Sequence, residues 1–191
     1  MRAWKVVVGV VVGIAVVLLP ALGYLGWRDR GEWFPMRVGD RWTYRDLDTR
    51  GTVVFEVLRR EPGGAFLVER RIGNDAVSFL VSVTPDSVFI LETSGEAFDP
   101  PFEEFRLPPA AGDAWTYAGT LGPRPVTATS RRTQSDRRRF SVEERSSLSG
   151  KTTFTVERGV GVVRLQGKRT DIHASGLRGF EWTLESFERR G

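Results

Sequence analysis

The chain has 191 residues, with 28 Lys or Arg, 24 Asp or Glu, one histidine and no cysteine. Without cysteine there is no disulfide, lipid-bearing cysteine or thiol nucleophile, and a zinc site would need carboxylates around one imidazole. Arginine supplies 25 of the 28 basic residues, so the pI of 9.9 reflects its high side-chain pKa rather than a large charge excess. We therefore expect no nucleic-acid partner, no metal and no other cofactor.

The first predicted element is an uncharged stretch of 21 residues at positions 6–26. As a helix, it is long enough to cross the roughly 30 Å hydrocarbon core of a bilayer. Arg2 and Lys5 precede it, and positive flanks stay cytoplasmic, so the rest of the chain is predicted outside the cytoplasm. The alternative is a cleaved signal peptide, because Pro20 interrupts the apolar core and residues 21–23 resemble a cleavage site. The predicted location is therefore single-pass in the inner (cytoplasmic) membrane, or periplasmic or secreted after cleavage.

Within this segment, Gly9 and Gly13 form the small-xxx-small pattern that lets two membrane helices approach closely. Small residues are also common in membrane helices in general. The pattern predicts a homodimer through the membrane helix. Replacing both glycines by Leu should abolish self-association in a membrane reporter assay.

Beyond residue 28, turn-forming residues separate short stretches rich in Val, Phe, Thr, Trp and Tyr, which is typical of consecutive β strands. At most a short turn of helix fits near residues 98–105. The sequence therefore predicts an all-β fold. The predicted strands of the first half are residues 41–47, 52–60, 66–72, 77–84 and 87–92.

An internal repeat is the most informative pattern in the chain. The sequence GDRWTY at residues 39–44 returns as GDAWTY at residues 112–117, and residues 66–71 match residues 140–145. The offset between matching residues grows slowly and in order along the chain, which favours two tandem copies over chance matches. The predicted division is an anchor (1–27), a linker (28–33) and two β repeats (34–107 and 108–191) that form one domain.

Each predicted repeat is a five-stranded antiparallel meander of about 75 residues with one apolar face, which it cannot bury alone. We therefore expect the two copies to pack as a sandwich or as a half-open barrel. Four aromatic residues occupy equivalent places in the copies, and each Trp shares a strand face with the Tyr two positions later. They are interpreted either as core packing or as the wall of a cavity for an apolar ligand. These residues are Trp42, Tyr44, Trp115 and Tyr117.

Five arginines flank a predicted turn at residues 134–136 and form the strongest local concentration of positive charge. They are interpreted either as a solvated hairpin tip or as a contact for an anionic lipid headgroup or acidic envelope polymer. The five are Arg131, Arg132, Arg137, Arg138 and Arg139.

The sequence contains no coherent catalytic set. His173 is the only imidazole, and no G-x-S-x-G pattern accompanies it. Residues 149–152 and 159–161 resemble fragments of nucleotide-binding loops but lack the required glycines, so both are predicted to be turns. Two acid pairs, Asp46 with Asp48 and Glu103 with Glu104, are the remaining candidates for hydrolysis.

Residues 34–44 contain the pattern F-P-x-x-x-G-D-x-W-x-Y, and residues 159–163 read G-V-G-x-V. Both patterns resemble stretches of uncharacterised bacterial envelope proteins, many of them lipoproteins. The resemblance covers most of residues 34–187, and the chain departs from the lipoprotein members by lacking the lipid-bearing cysteine. The expected shape is also similar to periplasmic lipoprotein carriers, whose curved antiparallel sheet holds acyl chains; this is an architectural analogy.

These observations predict a membrane-anchored, extracytoplasmic β domain of a bacterial envelope, without enzymatic activity. It would bind a lipid or another apolar ligand, or act as an interaction module for an envelope protein partner. The alternative is a hydrolase of an envelope polymer that uses carboxylates.

Overall fold

The computed structural model of the protein describes residues 33–108, 114–170 and 177–190. This part of the chain contains twelve β strands and no helix, which confirms the predicted all-β class. The strands are β1 (Arg41–Asp46), β2 (Thr52–Arg60), β3 (Phe66–Ile72), β4 (Asp75–Val83), β5 (Ser87–Thr93), β6 (Glu96–Arg106), β7 (Ala114–Leu121), β8 (Arg124–Ser135), β9 (Arg139–Ser146), β10 (Gly150–Glu157), β11 (Gly161–Thr170) and β12 (Leu177–Glu188).

The sheet is a closed antiparallel barrel. Each strand pairs with its neighbours in chain order, and β1 also pairs with β12, from Arg41 opposite Glu188 to Asp46 opposite Trp182. The architecture is therefore neither the sandwich nor the half-open barrel expected from the sequence. Closure depends on a pairing between the two ends of the β region, which local alternation and turn spacing do not encode.

The strand count also differs from the expectation of five strands per repeat, because β6 and β12 complete each half. Residues 98–105, where the sequence allowed at most a short turn of helix, lie within β6 and form a strand. Pro100 and Pro101 lack backbone N–H groups and conceal the alternation of this strand. The sheet accommodates them because the β5–β6 ladder is interrupted between Ala97 and Phe102.

Side chains alternate between the lumen and the outer face, as strand geometry requires. On β9, Phe140 and Val142 are fully buried inside, whereas Arg139 and Glu143 point outward. The outward residues of neighbouring strands form ion pairs. Examples are Arg71 with Glu56 at 2.5 Å, Arg139 with Glu157 at 2.6 Å and Lys151 with Glu143 at 2.8 Å.

One end of the barrel is covered by the segment that precedes β1. Trp33 is buried edge-on against Phe140, with ring centroids 5.2 Å apart, and Phe34 lies 5.6 Å from Phe105. We call this the capped end. The β1–β2, β3–β4, β5–β6, β7–β8 and β9–β10 turns lie at the opposite end.

The predicted membrane segment at residues 6–26, with Gly9 and Gly13, lies outside the described residues. So do the linker up to residue 32, residues 109–113 of the second repeat and His173. Within the part of the chain that is described, no helix is long and apolar enough to cross a membrane.

Candidate functional site

The predicted aromatic residues of β1 cross-link the barrel from inside. The Trp42 indole Nε1 donates to the Val160 carbonyl at 2.6 Å, and the Tyr44 hydroxyl donates to the Val162 carbonyl at 2.7 Å. Both side chains are buried, and burial raises the pKa of the Tyr44 phenol. Strand β12 lies between β1 and β11, so these bonds connect second neighbours across the lumenal side of β12.

The equivalent residues of β7 bond to an adjacent strand instead. Trp115 Nε1 donates to the Glu103 carbonyl at 3.0 Å, and the Tyr117 hydroxyl donates to the Pro100 carbonyl at 2.7 Å. Both acceptors are on β6. Burial, and then the charge of Asp99, raise the pKa of the Tyr117 phenol. Because all four polar ends bond to the backbone and the rings are buried, the contacts favour the core-packing interpretation over a cavity wall.

The side chains of Trp115 and Tyr117 bridge the boundary between β6 and β7, which we call the β6–β7 seam. The main-chain pairing of these two strands is short. Its described pairing is limited to Phe98 with Leu121 and Asp99 with Thr120. Gly119 is required here because a Cβ at this position would lie 2.5 Å from the Asp99 carbonyl oxygen and would overlap the Tyr117 hydroxyl. Trp115 and Tyr117 thus replace the strand pairing that the seam lacks.

A second set of inward-facing apolar side chains stays partly exposed. Phe79 lies directly opposite Val68, and Phe154 lies directly opposite Val142; both valines are buried in the core. Opposed residues of an antiparallel pair share a face, so these rings face the lumen and their remaining exposure is to lumenal space. The set comprises Phe55, Phe79, Phe154, Leu165, Phe180 and Leu184.

Two buried carboxyl groups, Glu104 and Glu144, are close enough for their charges to interact. Glu144 is 95% buried on the inward face of β9 (5% exposed), and burial raises its pKa to about 7. Glu104 lies on β6; burial, and then the charge of Glu144, raise its pKa well above the ordinary value. Glu104 keeps some solvent contact although protein surrounds its carboxyl, which fits a position against lumenal space.

Polar atoms on this inward surface lack partners. The Glu144 Oε1 atom accepts only a long bond of 3.4 Å from the Ser149 hydroxyl, and Oε2 has no hydrogen-bond partner among the described residues. The buried indole Nε1 of Trp182 also has none there. Buried polar atoms are normally bonded to protein, water or ligand, so these two atoms have hydrogen-bonding capacity that the described residues do not satisfy.

The acid pairs expected from the sequence have structural contacts. Asp46 Oδ1 accepts the backbone N–H groups of Asp48 and Thr49 and so forms the β1–β2 turn. Glu103 accepts from the Ser87 hydroxyl at 2.6 Å and pairs with Arg106 at 3.0 Å. Glu104 is the predicted acid that faces another carboxyl, and its neighbour there is Glu144.

The sequence reasoning missed Glu144, although a signal for it exists. Glu144 follows Phe140 and Val142 at a spacing of two, so it continues the inward-facing phase of β9. A charged residue that continues the two-residue spacing of buried apolar residues is expected to face inward, and this signal identifies Glu144. The same reasoning finds Arg70, which follows Val68 on β3 and lies over the Phe79 ring.

The predicted arginine cluster is divided between the two faces of the barrel. Arg132 extends to the Arg106 carbonyl at 2.9 Å and lies over the Phe140 ring, whereas Arg139 pairs with Glu157. Arg131, Arg137 and Arg138 are exposed, and the backbone N–H groups of Arg138 and Arg139 cap Asp136, whose pKa they lower. Anionic contact by the cluster stays a prediction and rests on Arg131, Arg137 and Arg138, because Arg139, although exposed, pairs with Glu157.

The two fragments that resemble nucleotide loops are turns, as predicted. Gly150 at the β9–β10 turn has φ +72° and is followed by a strand instead of a helix. Gly161 has φ +93° at the start of β11, close to Phe34 and Trp42. In the described part of the chain, no three His, Cys, Asp or Glu side chains group closely enough to hold a metal ion.

Comparison with protein-family models, with curated proteins and with solved structures gives no match. The case for a function therefore rests on the geometry of the lumen.

Two open depressions on the outer face complete the survey of candidate sites. One, of about 280 Å³, crosses β8 to β11; the other, of about 470 Å³, lies beside the β9–β10 turn. Both are lined mainly by Thr and Ser with exposed charged side chains, and neither contains a converging set of catalytic groups.

Proposed function

We propose that this protein is a membrane-tethered, extracytoplasmic β barrel that binds a lipid-like apolar ligand in its lumen and does not convert it chemically. The observation that carries the proposal is the row of inward aromatic and leucine side chains that remain partly exposed inside a closed barrel. A barrel of eight strands is just wide enough for side chains to fill, and twelve strands enclose a wider space. Apolar surface left facing water in that space favours an apolar ligand.

The arrangement of the ends supports binding in preference to passage through the barrel. Trp33 and Phe34 cover the capped end, while Phe180, near the start of β12, and Glu144, near the end of β9, lie toward the opposite turns. Gly167 faces Phe180, and a Cβ there would lie 2.9 Å from its ring, so the glycine makes room for the ring on the lumenal wall. A ligand inserted from the turn end would reach the aromatic surface and stop at the cap.

The tether and the location rest on the sequence. Residues 6–26 form the proposed anchor, the positive flank places the barrel outside the cytoplasm, and Gly9 with Gly13 supports a homodimer. The resemblance of residues 34–44 and 159–163 to bacterial envelope proteins agrees with this location. Fractionation followed by protease protection tests the proposal. A full-length protein in the membrane fraction whose barrel is protease-accessible only from the outer side is expected; a cleaved, released barrel would show that the segment is a signal peptide.

We also infer that the barrel is built from two copies of one unit. Six strands come from each half, and Trp and Tyr stand at the second and fourth positions of both β1 and β7. Arg70 and Glu144 are equivalent at the offset of the second match, and both lie on inward-facing positions. The two positions differ in charge: one half of the barrel carries the cation Arg70 where the other carries the carboxyl of Glu144.

Native mass spectrometry of the full chain extracted from membranes tests ligand binding directly. Co-purified lipid is the expected result, and a bare protein would favour the interaction module. Displacement of a neutral fluorescent probe, N-phenyl-1-naphthylamine, then locates the site. Phe154→Ser should weaken probe binding about tenfold, because it removes apolar lumenal surface. The matched change Thr153→Ser on the outer face should leave probe binding unchanged; equal effects of both variants would place the probe elsewhere.

A hydrolase remains the second candidate because two carboxyls with raised pKa values face each other in the lumen. A carboxyl that stays protonated near neutral pH can serve as a general acid. Incubation with labelled envelope polymers and lipids distinguishes the candidates. Turnover that Glu144→Gln abolishes and Glu143→Gln retains would establish the enzyme, whereas binding without turnover supports the carrier.

A further inference from the structure

A row of polar side chains interrupts the apolar lining of the lumen. Ser130 on β8 and Thr152 on β10 lie directly opposite Glu144 from its two sides, and Trp115 lies opposite Ser130. Opposed residues share a face, so the row runs from Trp115 to Thr152 on the lumenal side. Glu104 borders the row on β6, because the carbonyl of the preceding Glu103 accepts from Trp115 at 3.0 Å; the charge of Glu144 helps to raise its pKa.

The contacts of Glu144 leave one specific need unmet. Above about pH 7, where Glu144 is ionised, its carboxylate is an acceptor only, and a buried acceptor without a donor is unfavourable. Oε2 has no hydrogen-bond partner among the described residues, and Oε1 has only the long bond from Ser149. The buried, unpartnered oxygen is an observation separate from the closeness of the two acids, and it indicates a donor supplied from the lumen.

When the carboxyls of the row are ionised, their negative charge favours one kind of hydrogen-bond donor over another. A hydroxyl offers one donor and no charge, whereas an ammonium offers three donors and the opposite charge. The Phe154 ring, on the strand beside Glu144, adds a π surface that attracts a cation, whereas the Arg106 guanidinium already lies over the Trp115 ring. The ionised carboxyls repel an anionic head, which would be attracted instead to Arg132, two residues beyond Ser130 on the inward face of β8. Two carboxyls alone are a poor site for a metal ion.

We propose that the lumen takes a single-chain amphiphile whose ammonium head lies against Glu144 and Glu104 and whose apolar tail lies along Phe154, Phe180 and Leu165. This inference rests on the proposed function and specifies its ligand class. The tail residues are the partly exposed apolar lining, and the head residues are the polar row. One molecule therefore satisfies both surfaces.

The test compares three probes of equal chain length against the full chain in phosphatidylcholine nanodiscs: octylammonium, octanol and octanoate. Each displaces N-phenyl-1-naphthylamine, and empty nanodiscs provide the background. The expected result is that octylammonium binds about tenfold more tightly than octanol, and octanoate binds most weakly. Glu144→Gln and Glu104→Gln should each reduce the preference for octylammonium over octanol several-fold while octanol affinity is retained.

The control is Glu143→Gln, on the outer face of the same strand, where Glu143 pairs with Lys151. It should keep the full preference for octylammonium, and near-UV circular dichroism verifies that each variant is folded. Equal binding of octanol and octylammonium, or an unchanged preference in both lumenal variants, would overturn the ammonium inference and leave the apolar site standing. Failure of all three probes to displace N-phenyl-1-naphthylamine would overturn the proposed function with it.

Discussion

The indole nitrogen of Trp42 donates to the carbonyl oxygen of Val160, 118 positions later in the chain, across 2.6 Å. The Tyr44 hydroxyl makes the same kind of bond to Val162. Because β12 lies between β1 and β11, these two bonds hold the closing strand from the lumenal side. Barrel closure thus depends on buried hydrogen bonds as well as on strand pairing.

Removing the Tyr44 hydroxyl should destabilise the barrel. Tyr44→Phe keeps the ring in its buried place against Phe55 but deprives the Val162 carbonyl of its donor. We expect a loss of about 1–3 kcal/mol in the free energy of unfolding, measured by urea denaturation. Thr43→Val, on the outer face of the same strand, should change stability by less than about 0.5 kcal/mol. A loss in the control as large as in Tyr44→Phe would show that strand propensity, not the hydrogen bond, decides the result.

The β6–β7 seam should be sensitive to a single methyl group. Gly119→Ala places a Cβ 2.5 Å from the Asp99 carbonyl and against the Tyr117 hydroxyl, so strand or ring must shift. A destabilisation of about 2 kcal/mol or more is expected, with faster amide exchange in β6 and β7. Gly179→Ala is the matched control, because its nearest atom would be the Gly167 carbonyl at 3.9 Å. Similar stability of the two variants would mean that the β6–β7 seam tolerates the added methyl group.

Local features of the fold were predictable, and long-range ones were not. The strands β1 to β5 agree with prediction to within two residues, because alternation and turn residues act over a few positions. Closure depends on β1 meeting β12, and β6 is concealed by Pro100 and Pro101. The aromatic residues of β1 and β7 stand out in the sequence as a repeated pattern, but their bonding to distant carbonyls is a tertiary property. Glu144 was missed because a single charge in a strand normally faces solvent.

The buried acid pair should make stability depend on pH. Burial raises the pKa of Glu144 from the ordinary value of about 4.5 to about 7. Between these pH values the folded state binds more protons than the unfolded state, so stability falls as pH rises through this range. Glu144→Gln is neutral at every pH. It should match the wild type near pH 4 and exceed its stability at pH 8 by on the order of 2–3 kcal/mol, measured by urea denaturation at both values.

Glu143→Gln provides the opposite sign as a control. Hydrogen bonding to Lys151 lowers the pKa of Glu143, so its contribution to stability is present above the unfolded-state pKa and is lost in acid. This variant should be no more stable than the wild type at pH 8. If the stability of Glu144→Gln depends on pH in the same way as that of the wild type, the acid pair does not cause the pH dependence of stability.

The cap should contribute strongly to stability although it precedes the first strand. Trp33 is 5% exposed, meets Phe140 edge-on and lies beneath the Arg158 guanidinium, 6.0 Å from the ring centroid. Trp33→Ala leaves a cavity over the capped end, and we expect a loss of about 3–5 kcal/mol in urea denaturation. Val38→Ala, at a position that is 51% exposed, should change stability by less than about 0.5 kcal/mol. Because the cap closes one end of the lumen, Trp33→Ala should also speed probe exchange. A variant as stable as the wild type, with unchanged exchange, would show that the barrel closes without this segment.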